Sequence, residues 1–412
     1  MTFYRHRCTW TISSSICPCG RVSVLPCPMP PAWVANWTWA PSSSFSSRTA
    51  RSANENDAGF AKGDMNKTYP KTEWEVADPE DAGIDAGRLI QAKGVLDEKL
   101  GDARYRVAVV RSGHLVVEWA QGIDCAEKVH IASANKSILS SALGIAIAEG
   151  KIKSADDLAT DYYPELMDVP EGAGPKAGRW AFAANAGITL RHLICNVSGY
   201  MKPDERPGEV FNYQTNGMCI LSHCIEKAYG LYDVNDPEGS AKISALYKSK
   251  VADVIGADWE YTSGSQKMHD NARLNIFGWG SAIRTDLRDL ARLGWLWCNG
   301  GLWEGQQVIA QSWMCEVTAV APDILAKSPE QVWKYGHGFW TNAKGKLWPE
   351  LPTDGFTAWG AGGHYVIVFP SFDLVVVMNP TPYPGASQPY ETHTVTWLQQ
   401  QEVLRYMLDA CS

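Results

Sequence analysis

The sequence predicts a mixed α/β fold of the α+β kind, with an antiparallel sheet flanked by helices and an all-helical lobe. Two pairs of β-rich runs support the sheet: RVAVVRSGHLVVEW at 106–119, and HYVIVFP with DLVVVMNP at 364–380. Residues 151 to about 270 carry helical runs between loops rich in Pro, Gly and Asp, which indicates a helical lobe. The simplest assembly lets the two hairpins share one sheet.

The composition favours one large folded domain. The 412 residues are 45% hydrophobic and 20% charged, which allows one large core or two closely packed lobes. Residues 1–66 differ, because PCPMPP, PSSSFSS and SANEND follow one another with almost no periodicity. We expect residues 1–66 to be disordered or a wrongly extended start, and the folded domain to span 67–412.

Each predicted element has a local signal. Asp85 is a candidate N-cap for a helix that runs to Leu100, and Ser112-Gly113 is the predicted turn of the first hairpin. Apolar residues at three- and four-residue steps predict a helix that starts at Ser133 and closes at Gly150. The other predicted helices cover 188–194, 218–228, 284–297 and 395–408.

Charge and cysteine usage exclude several classes of function. A formal net charge of −8 without a Lys/Arg cluster argues against nucleic acid or an anionic membrane as the main partner, and favours a neutral or weakly charged small molecule. No apolar stretch reaches the ~18 residues needed to span a bilayer. The eleven cysteines are odd in number and scattered, so no disulfide framework is predicted. No signal peptide is recognisable, and unpaired cysteines slightly favour a cytoplasmic location over a secreted or periplasmic one.

The first candidate for chemistry is a serine–lysine pair in HIASANKSILSSALGIAIAEGK at 130–151. Ser133 precedes Lys136 by about one helical turn, so the hydroxyl and the amine are expected on the same helix face. A serine becomes a nucleophile when a base removes its proton, and a lysine can do so if burial lowers its pKa. Ser133 is therefore the candidate nucleophile and Lys136 its activating base, although Ser-x-x-Lys is also compatible with a lysine on a helix surface.

The second candidate is FNYQTNGMCIL at 211–221, which puts Tyr213 just before an apolar helix. A phenol close to a lysine ammonium has a lowered pKa, so Tyr213 is a plausible base for Ser133 and acid for the leaving group. Asn216 can hold Lys136 or a substrate carbonyl by hydrogen bonds. The alternative interpretation is an interfacial tyrosine followed by a helix-capping asparagine.

The third candidate is AWGAGGHYVIVFP at 358–370, a glycine-rich approach to a strand. Gly362 and Gly363 would let a substrate lie against the backbone, so that the amides of His364 and Ser133 form an oxyanion hole. Trp359 lies beside this strand and is a candidate wall of an apolar acyl pocket. A bulge or bend at the strand start explains the glycines equally well.

With these three motifs in this order, the chain resembles the serine β-lactamase and penicillin-binding protein superfamily. The closer resemblance is to its class C β-lactamase-related esterases and 6-aminohexanoate-dimer-hydrolase-like enzymes. ITLRHLICNVSGY at 188–200 resembles the ITIRHLLTHTSG segment of that family, and AIRTDLRDLARLGWLWCNGGLWEGQQVI at 282–309 resembles the segment before its third motif. The similarity runs from about Trp74 to the end.

The resemblance implies a β-lactamase/transpeptidase-like fold with the active site between the sheet and the helical lobe. It also implies that Ser133 is the nucleophile, Lys136 the activating lysine and Tyr213 the tyrosine base. Two departures stand out. The Tyr-x-Asn motif has Thr215 in place of Asn, and Ala361 occupies the position of the Lys or His in the third motif. A missing cation at Ala361 argues against recognition of a β-lactam or peptide carboxylate.

The leading hypothesis from the sequence is a serine hydrolase that cleaves an ester or amide through an acyl-enzyme on Ser133. The runner-up, within the same family, is a D-stereospecific peptidase, penicillin-binding or β-lactamase activity. A third hypothesis is a non-catalytic protein that keeps the fold and binds a ligand in a Trp-rich cleft. No metal or organic cofactor is implied, because the Ser-Lys-Tyr chemistry requires none.

Overall fold

Groups of strands and groups of helices follow one another along the described parts of the chain. The computed structural model describes residues 67–172, 180–233, 235–236, 239–265, 279–381 and 394–411, so the expected disorder of residues 1–66 lies outside the described residues. The helices are α1 (Ala86–Leu100), α2 (Asn135–Ala148), α3 (Ala159–Tyr162), α4 (Leu190–Ile194), α5 (Asn216–Ala228), α6 (Ser244–Leu246), α7 (Asp253–Ile255), α8 (Leu287–Cys298), α9 (Gln311–Val317), α10 (Pro322–Lys327) and α11 (Thr394–Asp409). The strands are β1 (Tyr105–Arg111), β2 (His114–Gln121), β3 (Val129–His130), β4 (Glu260–Ser265), β5 (Trp279–Thr285), β6 (Leu302–Trp303), β7 (Gln306–Gln307), β8 (Trp340–Thr341), β9 (Phe356–Gly360), β10 (His364–Phe369) and β11 (Leu374–Met378).

The main sheet is antiparallel and has the strand order β2-β1-β11-β10-β9-β8. Strand β1 pairs with β11 from Val107 opposite Met378 to Arg111 opposite Leu374, so the N-terminal and C-terminal hairpins share one sheet as predicted. The turn between β1 and β2 is Ser112-Gly113, where both residues have positive φ, and this conformation matches the twist of a two-residue hairpin.

Helices cover both faces of this sheet. On α8, a side chain at Gly294 would collide with Val366 and Val375, so the helix lies directly on β10 and β11. On α11, the Trp397 ring lies 6.3 Å from the Tyr365 ring, between centroids. Because Tyr365 and Val366 are consecutive in β10, their side chains point to opposite faces. The sheet therefore lies between α8 and α11, which confirms the predicted helix-flanked sheet.

The helical part of the chain meets the sheet near Ser133. A 3₁₀ turn, Ala132–Ala134, packs against β9 and β10, and α2, which follows it, packs against α5. A π-helical turn, Tyr247–Ala252, also contacts α2. The start of α2 is thus enclosed by the sheet on one side and by helices on the other. No helix in the described ranges combines the length and the apolar character needed to cross a membrane.

Two predicted helix starts were wrong. The helix expected over 284–297 begins at Leu287, because Asp286 accepts a hydrogen bond from the Asp289 amide as an N-cap, while Arg284 belongs to β5 and pairs with Glu260. The helix expected from Ser133 begins as α2 at Asn135, after the 3₁₀ turn. The Asp85 N-cap of α1 is confirmed, since its side chain accepts from the Arg88 amide.

Candidate active site

The structure brings Ser133 and Lys136 together. Lys136 Nζ donates to Ser133 Oγ over 2.9 Å. Ser133 lies in the 3₁₀ turn just before α2, and the preceding Ala132 has φ +48, a strained conformation for a residue with a side chain. Asn135 Nδ2 donates to the Ala132 carbonyl over 2.7 Å, and Asn135 Oδ1 accepts from the Ile283 backbone amide of β5. These bonds hold the strained turn in position.

Lys136 is buried rather than displayed on a helix surface. Its exposed fraction is 5%, and burial lowers the pKa of its ammonium to about 8. Lys136 Nζ contacts the Ser133 hydroxyl, the Thr215 hydroxyl at 3.3 Å and the Tyr213 ring, whose centroid lies 4.6 Å away. Hydroxyls and a ring face compensate a buried charge less well than a carboxylate does, so a large part of the lysine population is neutral at mildly alkaline pH.

Tyr213 lies beside the lysine, just before α5. Its ring packs edge-on against Tyr335, with centroids 5.7 Å apart, and at 34° to the Trp340 ring at 5.6 Å. These contacts fix the plane of the phenol ring. Lys136 therefore contacts both Ser133 and Tyr213, and the three side chains lie together as the sequence motifs predicted.

Thr215, and not Asn216, makes the polar contact with Lys136 from the start of α5. The Asn216 side-chain amide instead lies 2.9 Å from Met201 Sδ. Thr215 occupies the N-cap position and Asn216 the first helical turn. Sequence reasoning named Asn216 and treated Thr215 only as a departure from the motif. The sequence signal that points to Thr215 is its position two residues after Tyr213, where the family motif has its Asn.

The glycine-rich motif forms the turn between β9 and β10. Gly362 and Gly363 have φ +93 and +87, values that favour glycine. His364 is the first residue of β10, and its Nδ1 lies 2.5 Å from Asn379 Oδ1. That oxygen can only accept, so Nδ1 carries the proton, and burial lowers the pKa of the ring.

Gly360, at the end of β9, lies against the Ser133 turn. A Cβ atom there would lie 2.0 Å from the Ile131 carbonyl oxygen and 3.2 Å from the Ala134 amide nitrogen. Only a residue without a side chain allows this approach. Sequence reasoning singled out the next two glycines and missed Gly360, although it stands in the same glycine-rich run.

Trp359 belongs to a buried aromatic cluster. Its exposed fraction is 5%, and its ring centroid lies 5.3 Å from that of Trp340 and 4.9 Å from that of Trp397. The cavity beside Ser133 has a different lining. It measures about 310 Å³ and is bounded by the start of α2, one face of α5, Tyr247 and the residues Ser281 and Ala282 of β5.

Lys136 is the one charged side chain among the described residues that line this cavity. Among these described lining residues, none besides Lys136 could replace the cation that is missing at Ala361 and bind a carboxylate. Within the described ranges, no group of three or more His, Cys, Asp or Glu side chains is arranged to hold a metal ion.

Solved structures with this fold include hydrolases. A candidate 6-aminohexanoate-dimer hydrolase from Bacillus anthracis superposes with a TM-score of 0.54 at 17% identity, over 84% of this chain and 91% of that one. A penicillin-binding-protein homologue from Caulobacter crescentus gives 0.53 at 14% identity, over 77% and 97%. EstCE1, a hydrolase with promiscuous acyltransferase activity, gives 0.54 at 12% identity, over 79% and 99%. At identities this low, the likeness shows the shared fold.

Comparison at the sequence level gives the family. No curated protein matches this chain significantly. The family model described as Beta-lactamase matches residues 100–388, more than half of the chain, and this range contains all three motifs. The resemblance inferred from the motifs is therefore confirmed, and the chain belongs to the beta-lactamase family.

Proposed function

We propose that this protein is a serine hydrolase that cleaves an ester or an uncharged amide through an acyl-enzyme on Ser133. The observation that carries the proposal is the 2.9 Å contact between Ser133 Oγ and the Nζ of a lysine that is almost completely buried. A neutral amine at that distance can take the hydroxyl proton as the oxygen attacks a carbonyl carbon. We further propose that residues 67–412 form the hydrolase domain.

Each step of the cycle balances in protons. Lys136 takes the proton of Ser133 Oγ, the new C–O bond forms, and the carbonyl oxygen becomes an oxyanion. When the intermediate collapses, the leaving alcohol or amine receives the proton from Lys136, with Tyr213 as the group through which it passes. Water then attacks the acyl-enzyme by the same route in reverse, which releases the carboxylic acid and restores Ser133.

The oxyanion needs two hydrogen-bond donors near Ser133. The Ser133 amide, in the 3₁₀ turn just before α2, is one candidate, and the dipole of the helix that follows favours negative charge there. His364 was the sequence-based candidate for the second amide. The close approach of Gly360 to Ile131 and Ala134 favours the adjoining Ala361 amide as a further candidate, because that end of β9 adjoins the Ser133 turn.

The charge of the cavity supports an ester or uncharged amide as the substrate. Lys136 is the one charged residue among its described lining, so a substrate carboxylate would find no second cation among those residues. The fold neighbours described as a candidate 6-aminohexanoate-dimer hydrolase and as the hydrolase EstCE1 support hydrolysis of this kind. Neither assigns the natural substrate.

The experiment is a pre-steady-state trace with p-nitrophenyl acetate. The wild-type chain should release one equivalent of nitrophenol per active site in a burst, and Ser133→Ala should abolish the burst and the turnover that follows it. Ser371→Ala, a change at an exposed serine in the turn between β10 and β11, is the matched control and should behave as the wild type. Turnover by Ser133→Ala at the wild-type rate would refute the proposal. Steady Ser133-dependent turnover without a burst would mean that acylation limits the rate.

A further inference from the structure

The cavity beside Ser133 has a mouth and a closed end. Ala132 and Thr215 are exposed at the mouth. Farther in, Leu139 and Met218 are 3% and 4% exposed, and Tyr247 at the other end is 1% exposed. The cavity therefore runs from the candidate nucleophile into the helical part of the molecule, and an acyl group attached to Ser133 can extend into it.

The depth of the cavity follows from one face of α5. Thr215, Met218 and Ser222 line it at spacings of three and four residues, which puts them on a single helix face. Seven residues of helix advance about 10 Å, so Ser222 lies about 10 Å along α5 from Thr215, the residue that contacts Lys136. An extended chain advances about 1.2 Å per bond, and about eight bonds cover that distance.

The lining is apolar along its length and polar at its closed end. Leu139 and Met218 supply aliphatic surface, and no acidic side chain stands among the described lining residues. Ser222 and Tyr247, which are 5% and 1% exposed, also line the cavity, and each side chain carries a hydroxyl. A hydroxyl can both donate a hydrogen bond to a ligand group and accept one from it.

Tyr247 belongs to a π-helical turn, which is an uncommon secondary-structure element. It is the first residue of the six-residue π-helical turn Tyr247–Ala252. Turns of this kind are rare and occur often at functional sites. The turn therefore gives independent support to a ligand-binding role for this end of the cavity.

We propose that the cavity accepts the acyl part of the substrate as an unbranched aliphatic chain of about six to eight atoms with an uncharged hydrogen-bonding group at its far end. The Ser222 and Tyr247 hydroxyls bind that terminal group. This inference rests on the proposed function, because the carbonyl carbon of the chain must lie at Ser133.

The kinetic test compares p-nitrophenyl acetate, hexanoate and 6-hydroxyhexanoate with the wild-type chain. Each buried methylene should raise kcat/KM about fourfold, so hexanoate should exceed acetate by about 10²-fold. The 6-hydroxy ester should match or exceed the hexanoate. Equal rates with acetate and hexanoate would overturn the proposed chain, and a 6-hydroxy ester far poorer than the hexanoate would overturn the polar end.

A pair of tyrosine variants isolates the terminal contact. Tyr247→Phe removes the hydroxyl at the closed end and should lower the ratio of kcat/KM for the 6-hydroxy ester to that for the hexanoate about tenfold. Tyr229→Phe is the matched control, because the Tyr229 hydroxyl donates to Glu149 outside the cavity. It should leave the ratio unchanged. A wild-type ratio in Tyr247→Phe would exclude that hydroxyl as the partner.

Binding without turnover separates the two proposals. In calorimetric titrations, the Ser133→Ala chain should bind hexanamide and 6-hydroxyhexanamide more tightly than acetamide. Loss of Ser133-dependent hydrolysis with this order retained would refute the acyl-enzyme and keep the cavity assignment. If the acetate ester is hydrolysed in a Ser133-dependent way but the three amides bind equally, the acyl-enzyme would be supported and the cavity assignment refuted.

Discussion

At the scale of a single residue, Lys136 carries the chemistry that we propose. A buried ammonium costs free energy unless it is paired, and the pKa of Lys136 falls to about 8 because burial penalises its charged form. The proton is then lost at a pH where an exposed lysine keeps it. The same residue is thereby suited to accept the Ser133 proton.

The pH dependence of hydrolysis tests this role. If neutral Lys136 is the base, kcat/KM should rise about tenfold per pH unit below pH 8 and level off above it, since deprotonation creates the active form. Lys136→Arg should be inactive at every pH, because a guanidinium keeps its proton. Lys153→Arg, at an exposed lysine, is the control. A flat profile between pH 6 and 10 would contradict the prediction. The observed value belongs to the lysine together with any group that titrates with it.

At the scale of elements, the start of α2 is held between two glycines of the sheet region. Gly360 of β9 abuts Ile131 and Ala134, and a Cβ at Gly338 would lie 2.8 Å from the Lys136 carbonyl oxygen. The Gly338 carbonyl also accepts a 2.7 Å hydrogen bond from the Ser137 hydroxyl. This packing sets the distance between the Ser133 turn and β9.

Gly360→Ala should displace that turn. The added methyl would overlap the Ile131 carbonyl, so we expect a loss of about 10²-fold in kcat/KM. We also expect a loss of about 1–3 kcal/mol in the free energy of unfolding. Burst kinetics and circular dichroism melting measure the two effects. Gly94→Ala in α1 meets no atom within 4 Å and should instead stabilise by about 0.5–1 kcal/mol with unchanged kinetics. Wild-type kinetics in Gly360→Ala would refute the close contact.

At the scale of the whole described unit, Arg292 of α8 joins distant parts of the chain. Its guanidinium donates to the carbonyls of Pro70 and Thr72 before α1 and to that of Ile255 at the end of α7, over 2.9 to 3.0 Å. Its side chain is almost fully buried, and Asp289 lies 3.4 Å away. One side chain thus satisfies carbonyls from three segments that are far apart in sequence.

Arg292→Met should destabilise the protein by at least about 3 kcal/mol, because hydrogen bonds from a charged group are lost and buried carbonyls are left unpaired. Urea unfolding should show a lower midpoint at a similar slope. Arg405→Met at an exposed position of α11 should change stability by less than about 0.5 kcal/mol. An unchanged midpoint in Arg292→Met would mean that these three contacts contribute nothing measurable.

The sequence by itself determined the features that depend on neighbouring residues. Runs rich in β-branched residues on either side of turn residues predicted both hairpins, Asp85 marked the start of α1, and a three-residue offset predicted the approach of Lys136 to Ser133. Each of these rests on helical or strand periodicity over a few residues, which local conformation alone dictates.

Only the tertiary structure decided the contacts between distant segments. In the folded protein, Thr215 and not Asn216 contacts Lys136, and Trp359 packs in a buried aromatic cluster. Gly360 lies against the Ser133 turn, and a cavity extends along α5. The lowered pKa of Lys136 belongs here too, since it depends on how deeply the packed elements bury the amine. Such distances follow from the packing of all elements at once, and no window of sequence contains that information.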